Sequence, residues 1–353
     1  MTVISVLKLT LIISLICLFV VVHIATKRGI YSTQRRRFQY MCNKLGNCTT
    51  AAQLHLPWSS CGYVGFGHRM AGRNLHGIGN RLFYYSAIVY VSWLTGRRPC
   101  VWTTSTNIIL NRVFDVNIQR VDKNKSNCPM YTFRQRGIAV YDSRVESLVN
   151  ISGNISLLLE GYFQSWMYTN PVAMQLRQQL RFKKEYKKFA SDFLSRIVPP
   201  GWSKVQFIRV GVHVRRGDFL RQAARSLGLT VANDQYIQTA MRHFVDRFPR
   251  IQFIVASDDI QWCRKHLTLP KFNKTIANIV FSIGHNAGQD LTLLASCNHT
   301  IITTGTFGWW AAWFVNGITI YYANYPKRGS KMSRMFNGSE YYLPDWIGIG
   351  DVR

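Results

Sequence analysis

Three signatures are missing from this 353-residue chain, and each absence closes a route. No Asp-X-Asp triplet occurs, so the chain has no carboxylate pair of the kind that holds a divalent metal against the pyrophosphate of a nucleotide sugar. No cysteines stand at metal-binding spacing, which argues against a structural zinc module. Acidic side chains are scarce, 16 against 44 Lys and Arg, for a net charge of +28. That excess would suggest nucleic acid if it were gathered in a tail or stripe, but it is spread along the chain. Arg35, Arg36 and Arg37 form the only arginine triplet, Lys183, Lys184, Lys187 and Lys188 lie along one predicted helix, and no nucleic-acid reader motif accompanies either. An acidic substrate, an anionic surface or plain solubility explains the charge better, and nucleic acid is not an expected partner.

What is present is a folded chain with a hydrophobic leader. At 47% hydrophobic and 13% aromatic residues, the length suffices for two domains with real cores and disorder is not expected. Residues 9–26, LTLIISLICLFVVVHIAT, reach the lower limit for spanning a bilayer and read as a signal anchor. The positive-inside rule leans against a lumenal carboxyl terminus, since Lys8 alone precedes the run while Lys27, Arg28 and the triplet follow it. Seven Asn-X-Ser/Thr sequons, beginning at Asn47, Asn124, Asn150, Asn154, Asn273, Asn298 and Asn337, lean the other way. So do seven cysteines after the run, which suit lumenal disulfides with at least one thiol left over. The expectation is a single-pass type II membrane protein with its bulk in the secretory lumen.

The expected organisation is a cytoplasmic tail at 1–8, the transmembrane anchor at 9–26, a stem at 27–60, a first lobe at 61–200, a second lobe at 201–345 and a tail at 346–353. In the first lobe, GIGNRLFYYSAIVYVSWLTGRRPCVW reads as a glycine turn, a helix and a short strand after Pro99. Residues 172–197 carry Leu176, Leu180, Phe189, Phe193 and Ile197 on one helical stripe that stops at Pro199 and Pro200. Beyond it the pattern alternates: strand 205–214, helix 234–248, strand 251–256, helix 259–267, strand 276–283, helix 290–296, strand 299–303, helix 307–315 and strand 318–323. Such alternation predicts a mostly parallel, doubly wound sheet, which binds ligands outside the carboxyl ends of its strands.

The stretch VGVHVRRGDF places Arg215 and Arg216 where such a ligand would sit. Strand alternation turns Val210, Val212 and Val214 to one side and Gly211, His213 and Arg215 to the other. A guanidinium there matches phosphate by its planar fork and permanent charge, although paired arginines also serve as surface ion-pair partners. Gly305, Thr306 and Gly308 stand at a strand-to-helix turn, where free amides bind an anion without side-chain charge. The tryptophans that follow, Trp309, Trp310 and Trp313, read as core. Ser257 or Asp258 reads as a helix cap. Asp290 is either a cap or an acceptor for the amino and ring N–H groups of guanine. With no Asp-X-Asp motif, arginine and backbone dipoles would have to neutralise a pyrophosphate leaving group.

Together GVHVRRGDF, VASDDIQWC and QDLTLLASCNHTIITTGTFGWWAAWFVNG resemble the three ordered motifs of the galactoside alpha-1,2-fucosyltransferases, a family 11-like group of glycosyltransferases. GIGNRLFYYSA resembles their amino-terminal Gly-X-Gly-Asn segment. The likeness runs from about residue 74 to 323, with no motif between 100 and 200. It implies a GT-B-like, two-lobed α/β fold with a Rossmann-like donor lobe, GDP-fucose as donor, a galactose-terminated acceptor, no metal or other cofactor, inversion at the fucose carbon and residence in the Golgi membrane. Carried over by position, Arg215 contacts the GDP phosphates with Arg216 in support, His213 and Asp290 approach the guanosine, Gly305 and Thr306 meet the phosphate, and Asn80 faces the cleft from the acceptor side. Asp218 stands as a candidate base or as a clamp on an arginine, and Asp258 as a second candidate base. Arg81 occupies a position where the family often has glutamine, which bears on acceptor choice. The arginine motif is shared more loosely with alpha-1,6- and protein O-fucosyltransferases, so an acceptor of that kind, or a silent nucleotide-binding relic, is the alternative.

Overall fold

Runs of valine, isoleucine and leucine bounded by glycine and proline become strands, and they assemble into two separate parallel sheets. The computed structural model describes residues 61–66, 77–102, 110–116, 119–121, 128–269 and 276–351. The predicted anchor at 9–26 and stem at 27–60 lie outside these residues. No helix among the described residues is long and apolar enough to cross a membrane.

The first sheet contains β1 (Tyr63–Phe66), β2 (Arg98–Trp102), β3 (Gln119–Val121), β4 (Met130–Arg134) and β5 (Ser156–Glu160) in the order β3-β2-β1-β5-β4, with every neighbouring pair parallel. The helices within residues 77–196 are α1 (Ile78–Thr95), α2 (Leu110–Val113), α3 (Trp166–Thr169), α4 (Ala173–Gln179) and α5 (Lys184–Arg196). A disulfide joins Cys61, ahead of β1, to Cys128, ahead of β4.

The stripe at 172–197, expected as one helix, is two. α4 ends at Leu180, whose amide donates to the Leu176 carbonyl; beyond it Phe182 forms an antiparallel bridge with Phe114, and the Asp115 and Lys183 amides donate to the Arg181 and Val113 carbonyls. The backbone finds hydrogen-bond partners across this bridge instead of within a helix, so the apolar period continues while the helix does not.

The second sheet contains β6 (Ile208–Val214), β7 (Arg250–Ser257), β8 (Ile276–Phe281), β9 (His299–Ile302), β10 (Thr319–Tyr322) and β11 (Ile347–Ile349) in the order β11-β10-β9-β6-β7-β8, again all parallel. The helices are α6 (Gln222–Leu227), α7 (Asp234–Val245), α8 (Ile260–His266), α9 (Ala287–Ala295), α10 (Thr306–Val315) and α11 (Gly338–Tyr341). On one face Val210, Val212, Val214, Phe253 and Val255 pack with Ile237, Met241 and Phe244 of α7, all fully buried. Burying a side chain such as Phe244 contributes roughly 2–3 kcal/mol of transfer free energy. On the other face Ile254 packs with Leu293 of α9 and with Phe193 and Leu194 of α5. Both faces are covered, so the strands read as near-continuous apolar runs.

The carboxyl-terminal residues correct another expectation. The tail expected at 346–353 is not free over its described residues 346–351, because β11 completes the sheet beside β10 and Trp346 packs on Trp309 with ring centroids 5.4 Å apart. The segment before β11 joins the two lobes. The Ile138 and Ala139 amides donate to the Met335 carbonyl, Asn337 N–H to the Ala139 carbonyl, and the Trp166 indole to the Ser339 carbonyl.

Candidate functional site

At its carboxyl end β6 lies between the ends of its two neighbours, β7 and β9. His213, the last residue but one, is buried at 6% exposure, its ring tilted against Phe307 with centroids 4.9 Å apart. A Cβ on Gly308 would lie 2.6 Å from His213 Nδ1, so the glycine lets α10 approach the strand. Burial first, and the neighbouring Arg215 charge second, push the His213 pKa down to about 3. The ring is therefore neutral at physiological pH.

The two arginines part ways immediately after. Arg215 N–H donates to Thr303 Oγ1 at 2.8 Å, and its guanidinium lies between two carboxylates, Nη2 to Asp218 at 2.5 Å and Nη1 to Asp258 at 2.8 Å. Arg216 turns the other way. Its guanidinium sits 3.8 Å above the Trp262 ring and its Nε is 3.2 Å from Asp259, so it anchors α8 to the turn. Asp258, weighed as a cap, is none. Asp259 caps α8 through the Trp262 amide, while Asp258 accepts the Arg216 N–H at 2.8 Å and holds Arg215 with its other oxygen.

Beside the arginine, where a Cβ on Gly305 would lie 3.9 Å from Arg215 Cγ, two helix starts come together. Gly305 has φ +87°, a conformation that side chains resist, and precedes α10 with no side-chain cap on the helix amides. Gly77 likewise precedes α1 without a side-chain cap. A Cβ on Gly79 would lie 2.6 Å from the Thr306 carbonyl carbon and 2.7 Å from the Phe307 nitrogen, so backbone rests on backbone there. Asn80 joins the two starts: its Oδ1 accepts from Thr306 Oγ1 at 2.8 Å and from Gln164 Nε2 at 3.0 Å. The Thr306 hydroxyl proton is thus given to Asn80, and what the α10 start offers an anion is its backbone amides and the positive end of its dipole.

At the β8 side the wall changes character. Asp290 lies within α9 rather than at its cap, which is Asn286 in a capping box with Gln289. Its Oδ1 accepts from Ser282 Oγ at 2.6 Å, and Ser282 Oγ is also 2.7 Å from His285 Nδ1. Burial raises the Asp290 pKa above the ordinary carboxylate range, outweighing the opposing Ser282 hydrogen bond and the nearby His285. A partly buried carboxylate with one hydroxyl donor has capacity for further N–H donors.

These features surround one cavity of about 640 Å³. Asn80, His213, Arg215, Asp218, Asp290, Gly305 and Thr306, seven of the eight residues expected from the sequence, line it together. Arg216 does not, because Trp262 and Asp259 hold it outside. Arg81 is also not on the wall; at 8% exposure it is buried within the first turn of α1. Sequence reasoning missed Tyr162, Gln164 and His285, which line the cavity too. The first two fall in the stretch without motifs, and His285 precedes its helix with no spacing signal. On the β10 side Phe219, Leu229, Tyr325 and Phe336 form an apolar wall, with the Phe219 and Tyr325 rings stacked at 6.2 Å.

Comparison with known proteins follows the same residues. The model of "Glycosyl transferase family 11" matches residues 70–350. A galactoside alpha-(1,2)-fucosyltransferase 1 from Saimiri sciureus is 31% identical over 277 residues, 77% of this chain and 72% of that protein. The protein of the same description from Sus scrofa is 30% identical over 278 residues with the same two shares. A galactoside 2-alpha-L-fucosyltransferase SEC1 from Bos taurus is 29% identical over 84% of this chain and 80% of its own. Among solved structures, a GDP complex of an Arabidopsis thaliana FUT1 mutant aligns over 87% of this chain and 82% of that one, with 11% identity and a TM-score of 0.48, too loose a match to bear on the site.

Proposed function

From the premise that the chain belongs to glycosyl transferase family 11 and is a fucosyltransferase by family, we propose that it transfers L-fucose from GDP-fucose to the 2-hydroxyl of a terminal galactose, with inversion and without a metal. One observation carries the reading: Arg215, at the end of a central strand, stands beside the uncapped start of α10 on the wall of one cavity that also holds a carboxylate on its β8 side.

The donor lies along the strand ends in this reading. Asp290 accepts from guanine N–H groups, the β6 and β9 ends take the pyrophosphate, and the fucose reaches toward the apolar β10 wall and the first lobe. The neutral His213 ring flanks the nucleoside side. As the acceptor hydroxyl attacks the fucose carbon opposite the departing GDP, negative charge grows on the pyrophosphate. Arg215 and the α10 amides are already aimed there, and preorganised electrostatics contribute most where charge develops. Gln164 and Tyr162 approach from the first lobe, the side left for an acceptor in a GT-B-like arrangement. Residence in the Golgi membrane follows the same reading, with residues 9–26 as anchor.

The test uses the full chain in detergent with EDTA and labelled GDP-fucose, offered a terminal galactoside, a core N-glycan and a folded protein. Transfer to the galactoside alone is expected. Transfer only to the N-glycan or the protein would replace the acceptor, and a metal requirement would remove the arginine and helix-start account of leaving-group stabilisation.

A further inference from the structure

Resting on the reading of the cavity as a GDP-fucose site, we propose that Asp218 is a resident anion that the donor pyrophosphate displaces from Arg215, while Asp258 remains as the fixed support of that arginine.

The chain carries a net charge of +28, yet among the described residues on the cavity wall one arginine stands with three aspartates, Asp218, Asp258 and Asp290. Both ends of the Arg215 fork are already occupied by carboxylates. A diphosphate approaching this arrangement meets a cation whose charge is more than spent and two negative groups beside it. Like charges at that separation repel strongly wherever water is partly excluded. One carboxylate has to leave before the phosphate can take the arginine.

The structure distinguishes which. Asp258 is held from three directions: Oδ1 accepts the Arg216 N–H at 2.8 Å, Oδ2 pairs with Arg215 Nη1 at 2.8 Å, and the carboxylate lies against Gly217, where a Cβ would collide with Oδ2. Moving it would orphan a backbone amide. Asp218 has one side-chain bond, to Arg215 Nη2, its side chain is 51% exposed, and it sits on the short helical turn Gly217–Leu220. Rotation of its side chain breaks that bond and leaves no backbone group unpaired. Gly217 and Asp218 of the Arg-Gly-Asp run are thereby explained by ligand exchange at Arg215: the glycine makes room for the support, and the aspartate occupies the arginine until phosphate arrives.

The experiment is isothermal titration of the full chain in detergent with GDP and, separately, with guanosine, which has no phosphate. Asp218→Asn is expected to bind GDP roughly three- to tenfold more tightly than wild type, the scale of a partly exposed ion pair no longer competing. Its affinity for guanosine is expected to be unchanged. Asp258→Ala is expected to bind GDP about tenfold more weakly, because the arginine loses its aim despite the loss of a negative charge. Damage to the fold does not tighten binding, so the sign of the first change separates displacement from a structural role. Unchanged or weaker GDP binding by Asp218→Asn would overturn the proposal. Equal tightening by both variants would reduce the effect to general charge and overturn it as well, as would equal tightening toward guanosine. If the folded wild-type chain binds no GDP, the donor-site reading fails and takes this proposal with it.

Discussion

Arg215 reaches the cavity at about one-third side-chain exposure, and both of its carboxylate partners are themselves partly exposed, so its two ion pairs contribute little to stability, about 1 kcal/mol or less each. Arg215→Ala is expected to lower kcat/KM for transfer by at least about 100-fold. The far-UV circular dichroism spectrum should stay that of wild type; normal turnover would remove the phosphate role. His213 has the opposite balance, buried and neutral. Its folded pKa of about 3 lies below the ordinary 6.5, so between those values the unfolded chain binds a proton that the folded chain refuses. This contribution to stability is complete above pH 6.5 and declines as pH falls toward 3, by about 1.4 kcal/mol per unit. Asp290, with its pKa raised, works in the other direction and favours folding as acid protonates it. Urea titrations from pH 7 to pH 4 should show a flatter decline for His213→Gln than for wild type. That Arg215 reaches the cavity was legible, because it ends a strand of alternating character. That Arg216 does not was illegible, because Trp262 and Asp259 approach it only after α8 docks.

The contact of α1 with α10 makes the site depend on a single missing methyl group. At Gly79 a Cβ would press on the Thr306 and Phe307 backbone, which cannot retreat as a side chain can, whereas at Gly77 nothing lies within 4 Å. Gly79→Ala is therefore expected to cost roughly 1–3 kcal/mol, while Gly77→Ala stays within about 0.5 kcal/mol. Thermal unfolding checks the pair, and equal shifts would contradict the backbone contact. Transfer activity should fall with Gly79→Ala as the two helix starts separate. Element by element, the alternation of β6 to β10 with their helices followed from period and turn residues. The break between α4 and α5 did not, since the Phe114–Phe182 bridge joins segments far apart in sequence.

For the molecule as a whole, the lobes are joined by more than the chain that connects them. Residues 335–341 hydrogen-bond to residues 138–166 of the first lobe, and the Trp309 indole donates to the Tyr341 carbonyl at 2.8 Å. The Cys61–Cys128 disulfide closes a separation of 67 residues within the first lobe. Replacing both cysteines with alanine is expected to lower stability by about 4 kcal/mol through the freed entropy of the unfolded chain. Denaturant titration of the double variant beside wild type measures it, and an unchanged midpoint would deny the bridge. Cys263, whose thiol burial pushes up to about 11, and the buried Cys100 and Cys297 should stay unreactive toward thiol reagents until unfolding.

The amino-acid sequence by itself determined β6 to β10, the helices α7 to α10 that alternate with them, the glycines at the α1 and α10 starts and the placing of Arg215 at a strand end. These depend on period, turn chemistry and side-chain alternation over a few neighbouring residues. Tertiary structure alone decided that Asp258 supports Arg215, that Asn80 binds the Thr306 hydroxyl, that His285 and Gln164 reach the same cavity and that residues 347–349 complete the second sheet. Each of those depends on groups brought together from distant parts of the chain, and no local pattern records which of them will meet.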